Sequence, residues 1–158
     1  MMLRRKYSRR QGMTLIELIV AFSILLTLSA MSVPLARYKV RRDKERDLHV
    51  ALREIRHAID SYKDAYDKGE LGQVKIDTEG FPETLEMLVE GVKKNGQVDK
   101  KYKFLRRIPK DPMTGNADWG KRSWQDDPKG SSWGGQNVFD VYSKSTERAR
   151  DGTPYVEW

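Results

Sequence analysis

The sequence predicts an α+β fold, a long amino-terminal helix packed on a small antiparallel β-sheet. Three observations carry that prediction. Residues 13–36 form a 24-residue run in which Glu17 is the only charged side chain. Leu48, Leu52, Ile55, Ile59, Tyr62 and Tyr66 then recur at alternating spacings of four and three, the period of an amphipathic helix. Beyond Gly69 the chain turns rich in Gly, Asn, Asp and Pro, with short apolar segments suited to paired strands. A chain of 158 residues fits one modest domain behind an apolar helix. The expected segments are a basic leader at 1–12, an apolar helix at 13–36, an amphipathic helix at 37–69 and an α/β domain at 70–158.

The leader carries Arg4, Arg5, Lys6, Arg9 and Arg10 and no acid. At about 1.5 Å per residue, the run after it is long enough to cross a hydrocarbon core about 30 Å thick. Glu17 is the anomaly, because an acid at the centre of a membrane helix costs about 2.5–3.5 kcal/mol. A secretory signal peptide would use Ala30-Met31-Ser32 as its cleavage site, but its apolar region is shorter and free of charge. A twin-arginine signal would use Ser8-Arg9-Arg10, and Glu17 fits that badly too. A plain membrane anchor fits the length and leaves Glu17 unexplained.

The segment Gly12-Met13-Thr14-Leu15-Ile16-Glu17-Leu18 resembles the cleavage and methylation motif of type IV pilins and type II secretion pseudopilins. Those proteins usually have Phe after the glycine, where this chain has Met13. The resemblance implies that prepilin peptidase, a membrane-embedded aspartic protease, cuts after Gly12 on the cytoplasmic side. It also implies N-methylation of the new terminus, Met13. A glycine before the cut removes bulk, so the backbone can lie extended in a protease cleft. Thr14 and Glu17, three apart, share one helix face. In such filaments the resemblance gives Glu17 a partner, the α-ammonium of Met13 in a neighbouring subunit. An unpaired charge in low dielectric is very costly and a paired one much less so. Pro34 is the expected helix break near the end of the span, as pilins and pseudopilins often carry. It removes one helical hydrogen bond and disfavours helical geometry at Val33, which also suits a simple span terminator.

The formal net charge is +7, and five of those charges lie in the leader. Most of the basicity is therefore topology information, and no nucleic-acid partner is expected. Residues 37–47 carry six basic residues, so the positive-inside rule does not decide orientation. The motif implies a cytoplasmic amino terminus, a single pass through a bacterial inner membrane and a periplasmic carboxyl-terminal domain. The chain has no cysteine, which a periplasmic domain permits. Many type IV pilins close their last region with a disulfide, so the absence tilts the resemblance toward pseudopilins.

Past the span the helix is expected to continue over residues 13–68, loosened at Pro34. Ala51, Ala58 and Ala65 widen its apolar stripe, and Gly69 is placed to cap it. His49 and His57 lie eight apart with no ligand cluster and are expected on the helix surface. Gly80-Phe81-Pro82-Glu83-Thr84-Leu85 opens a short helix reaching about Glu90, with Pro82 rather than Thr84 expected at its start. Strands are expected at 117–124, 137–143 and 153–158.

Three later pieces resemble the major pseudopilin of type II secretion systems. They are Gly80-Phe81-Pro82-Glu83-Thr84-Leu85, Arg107-Ile108-Pro109-Lys110-Asp111-Pro112 and Val138-Phe139-Asp140-Val141-Tyr142-Ser143. That family follows its late strand with a loop that helps bind calcium. Here Ser143–Gly152 brings Lys144, Arg148 and Arg150 beside Glu147 and Asp151. Asp111, Asp118 and Asp140 are the other oxygen donors available to an ion that takes six to eight of them. No metal site or cofactor is assigned, with calcium the one ion in question and a solvated turn as the alternative. Trp119, Trp124, Trp133 and Trp158 all fall in the last forty residues. A thin core filled by aromatics is the expected use, with Trp133 the best single contact residue.

No arrangement of nucleophile and base is readable, so no enzyme is expected. The resemblance implies a type II secretion pseudopilin, assembled with copies of itself and other pseudopilins on an inner-membrane secretion platform in contact with lipid. A minor type IV pilin for adhesion, motility or DNA uptake is the nearest alternative. A membrane-tethered binding domain is the alternative of another class.

Overall fold

The computed structural model describes residues 12–130 and 132–158, and within them not the side chains of residues 31–36, 76 and 97–99. The leader before Gly12 lies outside the described residues. The chain divides into two units, residues 1–41 and 42–158. Helix α1, Leu15–Asp67, contributes to both.

Over residues 18–30 of the first unit α1 exposes large apolar side chains on every side. Leu15, Ile19, Phe22 and Leu26 are all more than half exposed. Ser23 Oγ donates to the Ile19 carbonyl at 2.8 Å, and Thr27 Oγ1 donates to those of Ser23 and Ile24. Both hydroxyls thus satisfy themselves within the helix, as an apolar medium requires. Among the described residues no helix is long and apolar enough to cross a membrane. The side chains of 31–36, which complete the apolar run, lie outside that description. The helix does not end at Pro34, since α1 is continuous through it. Loosening there concerns one missing hydrogen bond, not a terminus.

In the second unit the expected stripe is the core. Leu48, Leu52, Ile55, Ile59 and Tyr62 are almost wholly buried, flanked by buried Ala51, Ala58 and Ala65. They pack against Leu85, Leu88, Trp119, Val138, Val141 and Tyr155. The helix closes as expected at Gly69, whose φ of 68° needs no Cβ. Gly69 N–H donates to the Tyr66 carbonyl and Glu70 N–H to that of Ala65, the paired bonds of a Schellman cap.

The β structure is α+β and antiparallel as expected, but it forms two small sheets. Strand β1 (Val92–Lys94) pairs with β2 (Gln97–Tyr102), and β3 (Gly120–Arg122) pairs with β4 (Asp140–Tyr142). In the second sheet Gly120 faces Tyr142, Lys121 faces Val141 and Arg122 faces Asp140. A Cβ at Gly120 would run into the Tyr142 ring, so the residue is set by close approach.

Three expectations are corrected. Helix α2 spans Leu85–Glu90 with Thr84, extended at φ −143° and ψ 158°, at its amino-terminal boundary. Pro82 is not in its first turn, because the Pro82 carbonyl accepts Val138 N–H at 2.7 Å and is held as an extended partner. The expected last strand is a 3-10 turn, Tyr155–Glu157, with Pro154 before it and a single bridge between Arg148 and Pro154. The hairpin β1–β2 was not expected, although its two-residue connection is Asn95-Gly96 with Gly96 at φ 73°.

Candidate processing and assembly site

Gly12, Met13 and Thr14 precede the helix, are exposed, and have no regular secondary structure. The bond between Gly12 and Met13 therefore lies in open backbone. A Cβ at Gly12 would meet nothing within 4 Å, and its φ is an ordinary one. The described fold places no demand for glycine there.

Thr14 is the residue before α1, and its Oγ1 accepts Glu17 N–H at 3.4 Å. Thr14-x-x-Glu17 is the sequence of a capping box, of which this long bond is one half. Glu17 also sits in the first turn, where the helix dipole favours an acid. The structure thus brings Thr14 and Glu17 together by capping, beyond the shared face read from their spacing. The threonine three residues before the glutamate was the available signal. Met13 is 72 % exposed and Glu17 is exposed as well, so both are open to another chain.

In the second unit the polar machinery is structural. Asp140 takes Arg56 Nε on Oδ1 at 2.7 Å, and Arg122 Nη1 lies 3.5 Å from Oδ2. Arg122, buried, also donates to the Gly130 and Val156 carbonyls and lies over the Tyr142 ring at 4.2 Å. Asp111 is fully buried and accepts Ser143 Oγ–H at 2.6 Å and Met113 N–H at 2.8 Å. Asp118 takes Lys144 at 2.7 Å. The acids weighed for calcium are thus drawn to separate neighbours, and among the described residues no group of three His or acids is placed to hold a metal ion.

His49 stacks on Trp158, ring centroids 4.1 Å apart, and His57 is exposed. Trp119 fills the core and donates Nε1–H to the Pro109 carbonyl at 2.9 Å. Trp133 is tied down, its Nε1 donating to the Asn137 carbonyl at 2.8 Å and Lys121 lying over its ring. Trp124, at 58 % exposed, is the more open indole, set edge-on to Phe139 and stacked on Phe81. Asp126 holds the loop between these tryptophans. Its Oδ2 accepts the N–H groups of Ser123 at 2.7 Å and Gly134 at 3.0 Å, which lower its pKa below the usual carboxylate value.

No curated protein and no solved structure matches the chain. Residues 7–33 match the family described as the prokaryotic N-terminal methylation motif. That match spans Gly12, Met13, Thr14 and Glu17, together with most of the apolar run. It implies processing by prepilin peptidase and assembly with other pilin-type subunits. Over residues 7–33 the chain carries the prokaryotic N-terminal methylation motif, the motif of prepilin-type proteins.

Proposed function

We propose that the chain is a pseudopilin of a type II secretion system, most like its major subunit. The observation that carries the reading is the Gly12–Met13 junction, an exposed bond before a capped helix with Glu17 in the first turn. Cleavage there leaves Met13 as a methylated terminus. The α-ammonium of that terminus then pairs with Glu17 of the adjacent subunit, which fixes the stagger between subunits. The apolar surface of α1 serves twice, against lipid before assembly and against neighbouring helices within the filament. The mature chain is a substrate and a building block, not an enzyme. Its second unit faces the periplasm, and the filament pushes exported proteins through an outer-membrane channel.

The choice of a secretion system over a pilus rests on the order of three downstream elements. They are the Phe81-Pro82 entry to α2, the Ile108–Pro112 segment anchored by Asp111, and β4 with Ser143 directly after it. The separating experiment deletes the gene in its own bacterium. Loss of exported proteins from the medium with surface motility intact is expected. Intact export with lost motility, adhesion or DNA uptake would reassign the chain to a pilus.

A further inference from the structure

The charge of the second unit is sorted along the chain. Residues 93–110 carry eight Lys or Arg against one Asp, whereas residues 60–90 carry nine acids against three Lys. The basic segment is the hairpin β1–β2 and the irregular stretch leaving it. Lys100, Lys101, Lys103, Arg106 and Arg107 are all exposed. The acidic segment begins on α1, where Asp60, Asp64 and Asp67 follow at spacings of four and three and so line one exposed side of the helix.

Among the described residues no ion pair joins the two sets. The hairpin sits beside the end of α1, since Asn95 N–H donates to the Glu70 carbonyl and Asn95 Nδ2 to that of Gly69. Even so, among the described residues none of those five cations is paired with a carboxylate. Among the described residues Asp67 is the one of the three aspartates with a cation, Lys63 of its own helix at 2.7 Å. A basic surface and an acidic one stand side by side, and among the described residues Lys63–Asp67 is the one ion pair that involves these eight side chains.

We propose that the basic hairpin of one subunit docks on the Asp60–Asp64–Asp67 stripe of a second copy of this chain. This deepens the filament reading and rests on it. The contact joins two different patches, and made head-to-tail, as the filament reading requires, it propagates instead of closing into a dimer. The chain itself supplies the complement. Outside the leader and residues 93–110, the rest carries 22 acids against 17 Lys and Arg. A polyanion such as duplex DNA would find the hairpin attractive and the remainder repulsive. Exposed pairs of this kind add little affinity singly, and they act by steering and by fixing register while the apolar helices hold the subunits together.

The test uses the full chain in bacteria with prepilin peptidase and the secretion platform, scoring processed chain in cross-linked multimers. The first variant is Lys100→Glu/Lys101→Glu/Lys103→Glu and the second is Asp60→Lys/Asp64→Lys/Asp67→Lys. Each alone should lose multimers by about tenfold, with cleavage after Gly12 unchanged. The chain carrying all six substitutions should recover them, because the interface is then reversed on both sides. Recovery also shows that the variants fold. Undiminished multimers in either triple variant overturn the docking and leave the filament reading standing. Failure of the sixfold variant to recover, with salt-sensitive binding of duplex DNA by the unsubstituted chain, overturns it in favour of a nucleic-acid surface. An unsubstituted chain that is cleaved but forms no multimers overturns the filament reading itself, and the docking with it.

Discussion

Arg56 Nε lies 2.7 Å from Asp140 Oδ1, joining α1 to β4 across 84 residues of sequence. The same guanidinium donates to the Val141 carbonyl at 3.1 Å and the Trp158 carbonyl at 2.6 Å. One side chain thus ties the long helix to the second sheet and to the segment after the 3-10 turn. Both partners keep some contact with solvent, so screening limits what the pair contributes. Arg56→Ala is expected to destabilise the chain by about 1–2 kcal/mol in denaturant unfolding. Arg122→Ala removes the buried partner of the same carboxylate and should cost more, about 3 kcal/mol. Equal effects would show that burial does not govern this network.

Tyr62 is fully buried, and its hydroxyl has no hydrogen-bond partner among the described residues. Burial, then the nearby Glu83 and Tyr66, push its pKa up to about 12. An unsatisfied buried hydroxyl is a cost that phenylalanine would not carry. Tyr62→Phe should therefore leave the core intact and raise stability by about 1 kcal/mol. A clear loss in thermal unfolding would mean that the hydroxyl has a partner.

Asp126 offers a pH prediction with a definite sign. Its folded pKa lies below the unfolded value because two backbone N–H groups bind the charged form. Its contribution is present above the unfolded carboxylate pKa and is lost as pH falls through the lowered folded one. The loop around Trp124 and Trp133 should loosen on acidification, read as a change in tryptophan fluorescence. Asp126→Asn should show a weakened form of that acid transition, and an identical titration would remove Asp126 as its cause.

Thr14 and Glu17 act at one helix start but in separable ways. Thr14→Ala removes the cap, a change worth about 1 kcal/mol of local helix stability. Glu17→Gln keeps the shape and removes the charge. If charge pairing with Met13 sets the stagger, Glu17→Gln should be cleaved normally and yet be absent from filaments, whereas Thr14→Ala should still assemble. Filaments of normal abundance from Glu17→Gln would refute the charge role.

The features that sequence shows well are those repeated along it. The Leu48–Tyr62 stripe and the Gly69 cap are legible because helical periodicity and positive φ are local properties. The Asn95-Gly96 turn is equally local but carries a weak hairpin signal, since the strands beside it are lysine-rich and lack an apolar alternation. The Thr14-x-x-Glu17 cap is local too, a threonine three residues before a glutamate at a helix start. What sequence does not show is the partner of a polar group far away. Asp111 meeting Ser143, Asp140 meeting two arginines, and Pro82 serving Val138 instead of a helix turn are all tertiary outcomes.

The most direct test of the account is the mass of the chain's amino-terminal peptide, taken from membranes of cells with and without prepilin peptidase. The account predicts a mature chain beginning at methylated Met13 in the first case and an intact leader in the second. An uncut leader at Arg9-Arg10-Gln11-Gly12 in the presence of active peptidase, or a cut after Ala30-Met31-Ser32, would contradict it.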